Sequence, residues 1–201
     1  MPPTAAPPDT ASPAAEPARF DSFELFRISV AQYHEMVAAG TLGPEDRVEL
    51  LDGVLVTKMA IGTQHEFVTG TLEDLAREAA GRDAIVRKEA PLTLSDSVPE
   101  PDVAVVRGTR ADYRDRHPGG GDAVLVVEVA DTSLSKDRAK AGIYAAAGVP
   151  EYWIVDLAGR RIVIHRGPSP EGYREVAEVA EAATDLPGGR LAVTVDDLLG
   201  P

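Results

Sequence analysis

The segment Ala123–Ala130, AVLVVEVA, is apolar at every position except Glu128. A run of this length and composition, following the glycine- and charge-rich stretch Gly108–Asp122, reads as a strand committed to a core. Isolating an ionised carboxylate from water is so unfavourable that it requires a cation, a set of hydrogen bonds or a raised pKa. Glu128 therefore needs a partner. In an arbitrary strand that partner is a lysine at an exposed strand end, with no chemical consequence, so the companions of Glu128 decide how it is read.

The first companion is Asp102. The sequence VPEPDVAVV brings it to the start of a second apolar strand, Val103–Arg107, behind a proline whose fixed backbone angle suits an extended entry. Two carboxylates at the ends of neighbouring strands suit a hard divalent cation such as magnesium, which prefers oxygen ligands and keeps several waters. Alone, a Pro-Asp pair before a strand reads equally as a turn or cap. The second companion is a lysine, which near an attacked phosphorus orients or helps deprotonate water and stabilises developing charge. Strand alternation places Ala130 on the face of Glu128, and alanine has no amine. Lys136 and Lys140 lie instead on the following helix, Ser135–Ala147, four residues apart on one face, with stems long enough to reach back. A solvated helix face accounts for at least one of them.

The rest of the chain reads as one domain, as 201 residues allow. Residues 1–20 hold six prolines and six alanines and almost nothing large and apolar, which predicts a disordered tail and leaves residues 21–201 as the domain. Ser29 is placed to cap an amphipathic helix carrying Val30, Tyr33, Met36 and Val37 and ending at Gly40. RVELLDGVLVTKM reads as a hairpin turning at Asp52-Gly53, and Gln64–Ala80 as a helix stopped near Gly81. Further strands are expected at Ala84–Glu89, Glu151–Asp156, Arg161–Arg166 and Tyr173–Val179. This order predicts an α/β or α+β domain on a mixed sheet. Trp153, Tyr152 and Tyr144 read as core packing.

The formal charge of −13 repels polyanions at long range, yet an acidic centre is what a metal-holding nuclease site needs. The absence of cysteine excludes disulfides, thiolate zinc sites and cysteine nucleophiles. Neither a signal-type leader nor a membrane-length apolar run is visible, and a soluble, cytoplasmic protein without a membrane partner is expected.

Taken together, Pro101-Asp102, Glu128-Val129-Ala130, the block SLSKDRAKAGIYAAAGVPEYWIVD at Ser133–Asp156 and the earlier RVELLDGVLV resemble the bacterial putative restriction endonuclease domain family, a branch of the PD-(D/E)xK nuclease superfamily. The resemblance runs from about Ser22 to the C-terminus. It implies a restriction-endonuclease-like mixed β-sheet core flanked by helices and a Mg2+-dependent endodeoxyribonuclease site, with Mn2+ as a substitute and DNA as substrate. Position by position, Asp102 and Glu128 match the acidic metal ligands, and the backbone carbonyl of Val129 a third. Ala130 stands where the superfamily's commonest arrangement has lysine. Lys140, four residues before Tyr144, is the first choice to replace it and Lys136 the second. Glu49 resembles an acidic residue before the family's hairpin turn, against the plainer reading of a partner for Arg47 or a lysine. His65 is a candidate for phosphate contact or proton transfer, against a helix-surface reading. Nucleases that cut both strands often act in pairs, so a homodimer is an expectation by analogy.

Two alternatives accompany this reading. Ala130 and the negative charge fit a catalytically degenerate nuclease fold that acts as a binding or regulatory module. A small-molecule hydrolase using the carboxylate pair as acid and base, on a sugar for example, lacks an aromatic array to stack the substrate.

Overall fold

A computed structural model describes residues 24–59 and 61–200; the Pro/Ala-rich stretch 1–20 lies outside the described residues. Ten strands and four α-helices follow in chain order. These are α1 (Val30–Ala38), β1 (Val48–Leu51), β2 (Val54–Thr57), α2 (Thr63–Ala80), β3 (Ala84–Lys88), β4 (Val103–Arg107) and β5 (Ala123–Ala130). The second half comprises α3 (Leu134–Ala146), β6 (Glu151–Asp156), β7 (Arg161–Ser169), β8 (Gly172–Val179), β9 (Glu181–Leu186), β10 (Gly189–Thr194) and α4 (Val195–Leu199). Six strands form one sheet in the order β3-β4-β5-β6-β7-β8. Only β5 and β6 are parallel, which is why a helix, α3, must cross between them.

Strand alternation divides β5 between two cores. Leu125, Val127 and Val129 join Val103, Val105, Trp153 and Val155 under Val68, Leu72 and Ala76 of α2. Val126 and Ala130 join Ala104, Tyr152 and Ile154 under Tyr144 of α3. Glu128 lies between those last two positions of β5, so it occupies a site on the α3 face that alternation would otherwise assign to an apolar residue. The helix packed over that face is α3.

The β1–β2 hairpin stands apart from the large sheet and is joined to the β3–β4 connection by the Leu50–Val98 bridge and to α1 by a small core of Tyr33, Leu50 and Val98. Asp52 and Gly53 both have positive φ, 46° and 74°, as a two-residue turn between twisted strands requires. Ser29 caps α1 with a reciprocal bond to Gln32, as its sequence signals.

Expected boundaries agree with the observed ones within a residue or two, except that β7 continues past Arg166 to Ser169 and that the β9–β10 hairpin and α4 were not anticipated. The hairpin's sequence signals are a Pro187-Gly188-Gly189 turn and the short alternation Leu191, Val193, Val195, and Leu186, Leu191 and Val193 complete the core beneath α2. Its turn meets the end of α2 backbone to backbone, and a Cβ on Gly188 would stand 2.4 Å from the Cα of Gly81. Gly188→Ala should therefore cost about 1–3 kcal/mol through overpacking. Chemical denaturation checks this: the midpoint should fall with the slope unchanged.

Candidate active site

Asp102 precedes the first residue of β4, where the register Val103–Val127 brings it beside the C-terminal half of β5. The backbone N–H of Val129 donates to Asp102 Oδ2 at 2.6 Å, which fixes the carboxylate between the two strands. His65, in the first turn of α2, places Nε2 at 3.2 Å from the same oxygen, and Thr69 Oγ1, one turn on, lies 3.4 Å from its Nδ1. The hydrogen bond with Asp102 outweighs burial and raises the His65 pKa, so the ring holds its proton to higher pH than a free imidazole.

Glu128 is 3% exposed. Lys140 Nζ donates to its Oε1 at 2.9 Å, and the Tyr144 hydroxyl, one helical turn further, donates to the same oxygen at 2.9 Å. Lys140, also 3% exposed, contacts a second carboxylate, Glu49 Oε2, at 3.0 Å. Glu49, in β1, is 1% exposed; Lys136 Nζ lies 3.1 Å from its Oε1, and the Glu100 N–H donates to its Oε2 at 3.3 Å. One ammonium therefore bridges two buried acids, and one of those acids has a second ammonium.

This asymmetry separates the two glutamates. Burial pushes both up, but at Glu49 the charges of Lys140 and Lys136 outweigh it and hold the carboxyl below its usual range. At Glu128 burial dominates, Lys140 offsets it only in part and Asp102 adds to it, so the carboxyl is pushed up to about 8. For Lys140 burial works against the charge, yet Glu128 and Glu49 overcome it and keep the ammonium above its ordinary value. Of the two glutamates Glu49 has its ionised form favoured by its lysines, while Glu128 is the one whose ionisation a nearby cation would favour most.

Glu49, His65, Asp102, Glu128, Lys136 and Lys140 line one cleft of about 60 Å³, with Arg47 and Lys58 among its other residues. Asp102 Oδ1 and Glu128 Oε2 receive no hydrogen bond from any described residue. These uncommitted oxygens and the Val129 carbonyl are hard oxygen donors of the kind a hydrated magnesium ion would take. Among the described residues no three His, Cys, Asp or Glu side chains gather into a metal cage, so water or substrate would complete the coordination.

Every candidate singled out from the sequence lies in this cleft. The partners of Glu49 are the two α3 lysines rather than Arg47, and His65 engages Asp102 rather than lying free on the helix surface. Two further residues escaped sequence reasoning. Tyr144 packs in the core as expected, its ring 4.8 Å from that of Tyr152, but its hydroxyl holds Glu128; its position four residues after Lys140 is the signal. Asp137 is buried in the lining of the cleft, accepts a hydrogen bond from the Ser133 hydroxyl, and has its pKa raised by burial. Nothing in its sequence context marks it.

A mixed six-stranded sheet with one central parallel pair, flanked by helices, gives the chain a restriction-endonuclease-like fold. The signature of the family described as "Uma2: Putative restriction endonuclease" matches residues 30–194, and the chain belongs to that family. The match includes every residue of the cleft. The fold is similar to the crystal structure of a "putative nuclease belonging to DUF820" from Anabaena variabilis, with a TM-score of 0.65, 17% sequence identity, and coverage of 86% of this chain and 97% of that one. No curated protein matches the chain. No helix among the described residues is long and apolar enough to cross a membrane.

The depressed pKa of Glu49 sets a sign for acid stability. Its ion pairs contribute stability above the ordinary value of 4.5, and that contribution is lost as the pH falls through the lower folded value. Glu49→Gln should flatten this part of the stability-pH curve and, by leaving Lys140 with one carboxylate, destabilise the protein at neutral pH by about 3–5 kcal/mol. Denaturation of both proteins across the acid range checks each expectation. Tyr144→Phe removes only a hydroxyl donor and should cost about 1–3 kcal/mol by leaving Glu128 less satisfied.

Proposed function

We propose that the chain is a metal-dependent endonuclease that hydrolyses phosphodiester bonds of DNA at this cleft. The observation that carries the reading is the convergence of Asp102 and Glu128, each with an uncommitted oxygen, beside the buried ammonium of Lys140. Asp102, Glu128 and the Val129 carbonyl would hold Mg2+, with Mn2+ able to replace it. Bound there, the cation would polarise a phosphoryl oxygen and lower the pKa of water.

The roles of the chain's own groups follow from their environments. Lys140 is held as an ammonium by two carboxylates, so it stabilises negative charge and orients the nucleophile rather than removing a proton. Glu49 and Tyr144 position it and Glu128. His65 holds Asp102 in place through the oxygen that Val129 also binds. Lys136, whose side chain is 23% exposed, offers a second cation for a substrate phosphate.

A second reading has its own support: Lys136, Lys140, Glu49 and Glu128 satisfy one another, and Ala130 leaves the strand without a lysine. A closed ion-pair network of this kind suits a catalytically degenerate nuclease fold that serves as a binding module.

Cleavage of plasmid and linear DNA with Mg2+ or Mn2+, against an EDTA control, separates the readings. Asp102→Asn, Glu128→Gln and Lys140→Met should each lower the rate by about 10²–10³-fold, with circular dichroism reporting that the fold is kept. Cleavage that survives Glu128→Gln unchanged, or a wild-type protein with neither cleavage nor calorimetric metal binding, overturns the proposal.

A further inference from the structure

The cleft lies in a chain of net charge −13, so any DNA that reaches it needs a local region of opposite sign. One region has that character. β3 is an outer strand of the sheet, and against its open edge lies a second cleft of about 370 Å³ lined by Glu73, Arg77, Arg87, Lys88, Arg110 and Tyr113 among others. Arg77 is taken by Glu73, four residues before it on α2. Arg87, Lys88 and Arg110 have no carboxylate within ion-pair distance among the described residues.

Arg87 is the most informative of the three. Its Nη2 reaches only the carbonyl of Pro91, at 3.4 Å, and its Nε is buried without any hydrogen-bond partner among the described residues. A guanidinium has five donors suited to bidentate binding of phosphate, and leaving a buried one unpaired is costly. Arg116 stacks over the neighbouring Tyr113 ring, 4.9 Å from the centroid, but like Arg77 it is taken by a carboxylate, that of Asp122. Cations on an outer strand also discourage sheet-to-sheet pairing. That role accounts neither for Arg110, which lies on the loop after β4, nor for the unpaired Nε of Arg87.

The second cleft is continuous with the first along the chain. Lys88 pairs with Val103, the residue after Asp102, and the N–H of the next residue, Glu89, donates to the Asp102 carbonyl at 3.1 Å. Glu89 itself lines the acidic cleft. The basic edge thus begins one residue from the carboxylate site.

We infer that a DNA strand leaving the acidic cleft runs along the open edge of β3, where Arg87, Lys88 and Arg110 bind its backbone phosphates. This track rests on the proposed nuclease reading for its starting point, but it is tested without catalysis. Binding of a short fluorescein-labelled DNA duplex to the full chain is measured in EDTA over a range of salt concentrations. The triple variant Arg87→Gln, Lys88→Gln, Arg110→Gln should weaken binding at low salt by about tenfold or more and reduce the slope of log affinity against log salt by about two to three, since each phosphate contact contributes about 0.9. The double variant Lys88→Gln, Arg110→Gln, which spares the partly buried Arg87, should reduce the slope by about two. A charge-matched variant elsewhere, Arg160→Gln, Arg174→Gln, Arg190→Gln, should leave the slope near its wild-type value.

Equal losses in the edge and control variants, wild-type binding by the edge variants, or no wild-type binding at low salt would each overturn the track. Loss of Mg2+-dependent cleavage has a separate meaning. A chain that binds DNA through the edge residues but never cleaves it retains the track and overturns the catalytic reading.

Discussion

The buried ammonium of Lys140, shared between Glu49 and Glu128, is the contact on which the site depends. It joins three elements distant in sequence: β1 of the separate hairpin, β5 at the centre of the sheet, and the crossover helix α3. Removing Lys140 takes from Glu128 its only ammonium among the described residues, whereas Glu49 keeps Lys136, so the members of the cluster are unequal in what their loss costs. The charge balance inside it is uneven, because Glu49 has two lysines and Glu128 shares one. That leaves Glu128, beside Asp102, as the carboxyl with the least secure negative charge and the strongest response to an incoming cation.

The fold creates this arrangement through one topological necessity. Two parallel neighbouring strands need a crossover, the crossover here is α3, and α3 therefore covers one face of β5. Helical periodicity sets Lys136, Lys140 and Tyr144 on that covering side, and strand periodicity sets Glu128 beneath them. The acidic cleft and the basic edge of β3 adjoin in a strongly acidic chain. Negative charge is concentrated where a cation would sit, and unpaired positive charge begins one residue away along the sheet margin.

Most of the central sheet and the first two helices were legible because each carries a local signal: the Ser29 cap, the Asp52-Gly53 turn, and the uninterrupted apolar runs of β4, β5 and β6. The β9–β10 hairpin carries a short signal, the Pro187-Gly188-Gly189 turn before alternating Leu191 and Val193, which was overlooked. Its docking onto α2 and the close contact of Gly81 with Gly188 are visible only once the chain is folded. The site divides in the same way. Glu128 and Asp102 stood out because a carboxylate within or just before an apolar strand is anomalous wherever it occurs. Tyr144 did not, because an aromatic on the apolar side of a helix is ordinary until its hydroxyl is seen to have a partner.

The sequence by itself determined that Glu128 needed a counter-charge, that Ala130 did not supply it, and that two lysines on one helix face were within reach. Tertiary structure alone decided how that need is met. Lys140 is taken by Glu128 and Glu49 together, and Lys136 by Glu49 alone. His65 turns to Asp102, and Arg87 is left without a carboxylate partner among the described residues at the sheet edge. The physical reason is that a local pattern specifies which face a residue occupies, whereas the pairing of charges depends on distances of about 3 Å between groups as much as 91 residues apart in the chain, as Glu49 and Lys140 are. Those distances exist only once the two cores have closed around the sheet.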